Sequence, residues 1–146
     1  FPVDPSYLAY RAEQSGVKAR FIDLANQVNL DMPKYVIERS EKLVGGLNGK
    51  KVLIAGVSYK PEIADVRETP AELIRNEAIT KGAEVYWFDP IVEKWQPGKV
   101  EKLEPNSFDL VIFQIIHSAM DIEIIKKTFG AASQTCKGCH DDFKKK

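Results

Sequence analysis

The chain has no excess of charge of either sign: lysine plus arginine and aspartate plus glutamate stand at 21 each. That balance excludes a basic field for nucleic acid or an anionic membrane surface, so any anion site has to be local. Histidine is scarce, at two residues, and so is cysteine, at two. Cys136 and Cys139 lie close together at the far end, so a bond between them cannot staple the body of the protein. No apolar run approaches a membrane span, and Phe1-Pro2-Val3-Asp4-Pro5 has neither the basic start nor the apolar core of a secretory signal. Taken as given, the chain is expected to be a soluble cytoplasmic protein. Its 146 residues suffice for one ordinary domain, with or without an appended element, and for a working core.

What is present is organised around residues 50–70, KKVLIAGVSYKPEIADVRETP. Residues 52–57 are apolar, too few for a helix that must end before Pro61, and follow the turn signal Leu47-Asn48-Gly49-Lys50. They predict a buried parallel strand. Ser58, Tyr59 and Lys60 come at its end, then a polar loop with Asp65, Arg67 and Glu68, then Thr69-Pro70. That last pair reads as an N-cap with proline at the first helical position. In an open α/β sheet, ligands bind outside the carboxyl ends of the strands, which places Lys60 and Arg67 where an anion is held. On spacing alone the two read equally well as solvated loop charges.

The two prolines among the first five residues predict extended backbone there, with Ser6 capping a short helix to about Ala12. From 17 to 47, apolar residues such as Phe21, Leu24, Val28, Met32, Tyr35 and Val36 recur at helical steps, interrupted by Pro33. Either one long helix, kinked at the proline, or two helices meeting near residue 31 satisfies this pattern. Its stripe reads as ordinary core or as a subunit contact, and Arg20 on it as a surface charge. Residues 69–81 predict a helix with Leu73, Ile74, Ala78 and Ile79 inward, stopped by Gly82. Residues 84–88 predict a second strand, and 91–106 a loop with a short helix around 100–103. The near-continuous apolar run at 108–116 predicts a strand covered on both faces. His117 at its end reads as easily as a solvent-facing loop residue and is assigned no catalytic role. Asp121 caps a helix expected over 122–129. The fold class is therefore α/β, with a helical segment at 1–47, a parallel-sheet domain at 48–127 and an appended tail at 128–146.

Residues 56–70, G-V-S-Y-K-P-E-I-A-D-V-R-E-T-P, closely resemble the G-x-A-[YF]-K-x-x-x-x-D-x-R-E-[ST]-P segment opening the C-terminal domain of the UDP-glucose and UDP-N-acetylmannosamine dehydrogenases. The opening F-P-V-D-P-S-Y-L is similar to the second half of that family's catalytic loop, picked up one residue after its nucleophilic cysteine. A-R-F-I-D-L-A, from Ala19, resembles the helix that joins the family's two domains and builds its dimer, and F-D-P, from Phe88, matches a further family segment. The resemblance implies a Rossmann-like sheet domain and an NAD-dependent enzyme that oxidises the C6 alcohol of a UDP-sugar to a carboxylate. Position by position, it makes Lys60 the UDP-sugar contact, Arg67 the residue that reaches NAD, and Asp4 the catalytic aspartate that assists hydrolysis of a thioester. Asp4 reads otherwise as part of an Asp-Pro turn. The resemblance further implies a homodimer through residues 17–47 and an N-acetylhexosamine-type sugar from the V-D-P opening, while the charge balance implies no nucleic-acid or membrane partner. Without the cysteine and the NAD domain, the chain by itself is expected to be inactive. Its alternative description is a non-catalytic module for nucleotide binding and dimerisation.

The tail departs from that family. Cys136-Lys137-Gly138-Cys139-His140 has the spacing of a c-type haem attachment site, with two thiols for the vinyl groups and a histidine for the iron. Its wording is similar to the C-terminal helix of cytochromes c′, which makes a haem electron-transfer protein a third alternative. Haem c is attached outside the cytoplasm, and the four-helix bundle that would enclose it is missing, so a graft without a working haem is the preferred reading over haem or a redox or metal Cys pair. Protein produced in the cytoplasm is therefore expected to be colourless, with free thiols at Cys136 and Cys139, and removal of residues 131–146 to leave its melting temperature nearly unchanged. A Soret band surviving acid–acetone extraction, with the mass raised by one haem, would overturn this.

Overall fold

The computed structural model describes residues 3–127. Helix α1, Val3–Gln14, begins upstream of the expected Ser6 cap. Pro5 falls in its first turn, where a missing N–H has no intrahelical acceptor to lose and the fixed φ suits the helix. The extended start expected from the prolines is thus corrected, and Asp4 lies on a helix rather than in an Asp-Pro turn. Helix α2, Arg20–Val44, runs on through Pro33 as one element. It ends where Gly45 takes a left-handed φ of 72° and the N–H groups of Gly45 and Gly46 both return to the Glu41 carbonyl.

Strand β1, Lys51–Ala55, follows, then helix α3, Pro70–Thr80, strand β2, Glu84–Phe88, strand β3, Leu110–Phe113, and helix α4, Ile122–Lys127. All three strands are parallel and ordered β2-β1-β3, with Ile54 opposite both Trp87 and Ile112. The central strand is therefore buried on both faces, as an apolar run without alternation requires. Val52 and Ile54 pack with Leu110 and Ile112 against Ile37 of α2 and Ala71, Ile74 and Ala78 of α3. Leu53, Ala55 and Val111 point the other way, onto Phe108, Met120 and Ile125. Because α3 presents Ala71, Ile74 and Ala78 to the sheet, Leu73 and Ile79 fall on its flanks and are 42% and 43% exposed, not inward as expected. Asp109 ties the amino ends of β1 and β3 together, accepting from the Lys51 N–H at 2.8 Å and from Lys50 Nζ at 3.3 Å.

The loop after β2 contains no helix at 100–103. Instead Trp87 N–H donates to Gly98 O at 3.0 Å and Val100 N–H to Trp87 O at 2.9 Å, so the segment lies along the outer edge of β2. Trp95 meets Trp87 edge-on with ring centroids 5.7 Å apart, and Trp87 Nε1 donates to Gln96 O at 2.7 Å. Sheet bonding and indole packing outweigh the weak helical tendency of those few residues.

β1 is followed by Gly56, whose φ is +78° and whose missing Cβ would stand 2.0 Å from the Ile115 carbonyl oxygen. Gly45 shares the left-handed backbone but has nothing within 4 Å of its Cβ direction. Gly45→Ala should therefore cost about 1 kcal/mol, the strain of the conformation, whereas Gly56→Ala adds a backbone clash and should cost at least about 3 kcal/mol. Urea melts of the two variants check this, and equal losses would show that the approach at Gly56 can relax.

Candidate functional site

The carboxyl ends of the three strands converge on a buried polar cluster. β1 leads into Ser58, β2 into Asp89, and β3, after Gln114, into His117; all three side chains are buried, with His117 only 1% exposed. β1 has a parallel neighbour on each side, so this is the point where chain connections diverge and where open α/β sheets bind ligands.

Asp89 is the hub of the cluster. Its Oδ2 accepts from Val57 N–H at 2.8 Å, Ser58 N–H at 3.3 Å and His117 Nε2 at 3.1 Å, and its Oδ1 accepts from Ile91 and Val92 N–H at 3.0 and 3.1 Å. Burial pushes this carboxyl up, but the Val57 and Ile91 N–H groups and the His117 imidazole outweigh burial and hold it below its ordinary value. A depressed carboxyl stabilises the fold above the unfolded carboxylate range, and that contribution is lost as pH falls through the lowered folded value.

His117 Nδ1 accepts the Glu62 N–H at 3.0 Å, which assigns the ring proton to Nε2. Ser58 agrees independently. Its hydroxyl proton is given to Lys60 O at 2.8 Å, so Ser58 Oγ can only accept from Nε2, 3.2 Å away. Both Ser58 and Asp89 meet the same ring nitrogen, so the three residues do not form the relay of a nucleophilic serine, which needs the carboxylate and the hydroxyl on opposite nitrogens.

The loop from Ser58 to the Thr69 cap carries the cations that the sequence places here. Lys60 is half-buried, its Nζ 5.8 Å from the centroid of the Tyr59 ring. Arg67 is exposed at the rim and forked onto Asp65, with Nη2 to Oδ2 at 2.7 Å; its guanidinium holds the Asp65 carboxyl down at about 2. Glu62, at a left-handed φ of 63°, turns its carboxylate to the N–H and hydroxyl of Ser118, which lower its titration. The N-terminus of α3 offers an anion little: Pro70 has no N–H, Ala71 N–H is taken by Thr69 Oγ1 at 3.3 Å and Glu72 N–H by Thr69 O at 3.2 Å. Holding an anion at this end of the sheet falls to side chains.

Lys60 and Arg67 thus share one loop at the strand ends, while Asp4 is exposed in the first turn of α1, away on the helical hairpin that α1 forms with α2. Arg20 is exposed on α2, as expected of a surface charge. Cys136, Cys139 and His140 lie outside the described residues. Sequence reasoning missed the buried role of His117, which is not a solvent-facing loop residue. The signal available was that a polar residue closing a strand buried on both faces must meet polar partners from the neighbouring strand ends, here Asp89 and Ser58. The β1–α3 connection contains no glycine beyond Gly56, so it does not make the glycine-rich turn that cradles a dinucleotide.

Residues 53–131 match the model of the UDP-glucose/GDP-mannose dehydrogenase family, UDP binding domain. The chain is 35% identical over 121 residues to the UDP-N-acetyl-D-mannosamine dehydrogenase of Methanococcus aeolicus, covering 80% of this chain and 26% of that protein. It is 34% identical over 87 residues to the enzyme of the same name from Methanocaldococcus jannaschii, covering 60% of this chain and 19% of that one. Among solved structures, a UDP-glucose dehydrogenase from the hyperthermophilic archaeon Pyrobaculum islandicum superposes with a TM-score of 0.72 at 27% identity, over 83% of this chain and 31% of that one. The chain therefore spans about a fifth to a quarter of the length of these curated relatives. With just over half of its residues matched to the family model, and its parallel sheet shared with that family's structures, the chain belongs to the UDP-glucose/GDP-mannose dehydrogenase family and contains its UDP-binding domain.

Proposed function

We propose that this chain is the UDP-sugar-binding part of an NAD-dependent nucleotide-sugar 6-dehydrogenase, which takes a C6 alcohol to a carboxylate. The observation that carries the reading is Lys60, a cation on the loop above the divergence of the sheet, within the segment that matches the UDP-binding domain. Its ammonium holds the UDP-sugar, and the half-buried setting against Tyr59 strengthens the attraction relative to open water. Arg67, kept at the rim by Asp65, reaches toward NAD, which supplies the hydride-accepting chemistry when bound. Asp4 assists the water that hydrolyses the thioester formed on the family's nucleophilic cysteine, breaking the C–S bond to release carboxylate and thiol with no change of oxidation state. The curated relatives that act on N-acetylated sugars favour a UDP-N-acetylhexosamine over UDP-glucose.

The helical hairpin supports a second element of the reading. Phe21 is 83% exposed, and Leu24, Val28 and Tyr35 are also open, on the side of α2 opposite the buried Pro33, Ile37 and Ser40. A second copy of the chain covers this apolar face.

Two measurements test these assignments. UDP, followed by amide shifts, should bind in roughly the high micromolar to millimolar range, moving residues near Lys60 first; unchanged binding in Lys60→Ala would place the site elsewhere. Sedimentation should give a dimer for the wild type and a monomer for Phe21→Glu/Val28→Glu with UDP binding intact, and a monomeric wild type would rule out the self-contact.

A further inference from the structure

The geometry points to His117 as the positioning residue of the loop that carries Lys60 and Arg67. This loop is cross-linked within itself by the Tyr59 N–H on Asp65 O at 2.7 Å and by the Lys60–Ile63 bridge, and it is further held at three places. At one end Ser58 is fixed by the Asp89 carboxylate and by His117 Nε2. At the other, Thr69 Oγ1 reaches back to Ser58 O at 3.4 Å, closing the loop on itself. Between them, the attachment to the rest of the domain is the Glu62 N–H on His117 Nδ1, seconded by the Glu62 carboxylate on Ser118, the next residue along.

One imidazole therefore joins two structures with different chemistry on its two nitrogens. Nε2–H faces the buried Asp89 carboxylate and Ser58 Oγ, and Nδ1 offers its lone pair to the loop. The loop needs that acceptor. Glu62 holds a left-handed backbone that a side-chain-bearing residue adopts only under constraint, and Glu68 does the same near the far end at φ 54°. Without Nδ1 the Glu62 N–H loses its partner and the constraint is relieved by movement of the residues on which Lys60 and Arg67 ride. A second proton on the ring has the same effect at Nδ1, which becomes a donor facing a donor, while the Nε2 bond to Asp89 persists and strengthens. Asp89 and Glu62 are the charged groups facing the ring from the segments packed on it, and both carboxylates titrate below their ordinary values. The event is thus local to the loop and leaves the strand core in place. That the loop holds UDP rests on the function proposed above; that His117 positions the loop does not.

Nitrogen-15 spectra of the full chain test the idea directly, since it contains only two histidines. The His117 ring should be in the Nε2–H form, with Nδ1 unprotonated, and the Nδ1–H form would overturn the proposal. Amides of residues 59–68 should shift in His117→Gln relative to the wild type, while those of residues 52–55 stay still, because only the loop loses the Nδ1 acceptor. A loop that does not respond to that loss overturns the positioning role. His117→Gln keeps a donor for Asp89 but offers no acceptor at the Nδ1 position. It should weaken UDP binding about tenfold, the order of effect of leaving one partly buried donor unpaired, and speed exchange of the Glu62 amide. His117→Asn, whose Oδ1 takes the place of Nδ1, should restore both. Equal behaviour of the two variants overturns the proposal. If the wild type fails to bind UDP, the nucleotide-binding reading falls, and the ring and loop signals still decide the role of His117.

Discussion

The arrangement of the strand ends depends on one buried carboxylate. Asp89 stands where β2 stops and accepts from four backbone N–H groups on two segments and from an imidazole on a third. A buried carboxylate is tolerated only when its lone pairs are taken up, and here the donors are the N–H groups that parallel strands leave without partners at their carboxyl ends. The charge and the unpaired amides solve each other's problem. Since the donors come from chain segments remote in sequence, they also fix where the loops after β1, β2 and β3 begin.

The site loop takes its position from that cluster as well as from its own bonds. Ser58 and His117 are both held by Asp89, and the loop between them is tied within itself by the Lys60–Ile63 bridge and the Tyr59 N–H on Asp65 O, so two residues with left-handed backbone are kept in place. Arg67 adds a local device: its fork onto Asp65 spans two residues and restrains a long side chain that would otherwise sweep the rim.

Much of the fold was legible in the sequence because the signals were local. The apolar run before Gly56 and the Thr69-Pro70 start of α3 each follow from short-range rules that the tertiary structure did not override, while the strand expected over 108–116 is confined to Leu110–Phe113, with Ile116 exposed beyond it. What failed was decided by partners distant in sequence. Val100 is bonded to Trp87 rather than to a helical neighbour, the flanks of α3 are set by which residues, Ala71, Ile74 and Ala78, meet the sheet, and Pro5 was misjudged because a first turn forgives what a helix interior does not. Lys60 and Arg67 share one loop, as their positions in the sequence require, but their spacing alone does not separate an anion site from a pair of solvated charges. The buried setting of His117 was not readable, because it requires Ser58, Asp89 and Glu62 to be brought together from three separate stretches.

The segment that lies along β2 makes the sheet unsymmetrical. The outer backbone of Trp87 is already bonded to Gly98 and Val100, and two indole rings lock that edge. β3 has no strand on its outer side among the described residues. A parallel sheet of this kind is open to lengthening in one direction, so an additional strand, from this chain or another, would find its template at Leu110–Phe113 and be turned away at Glu84–Phe88.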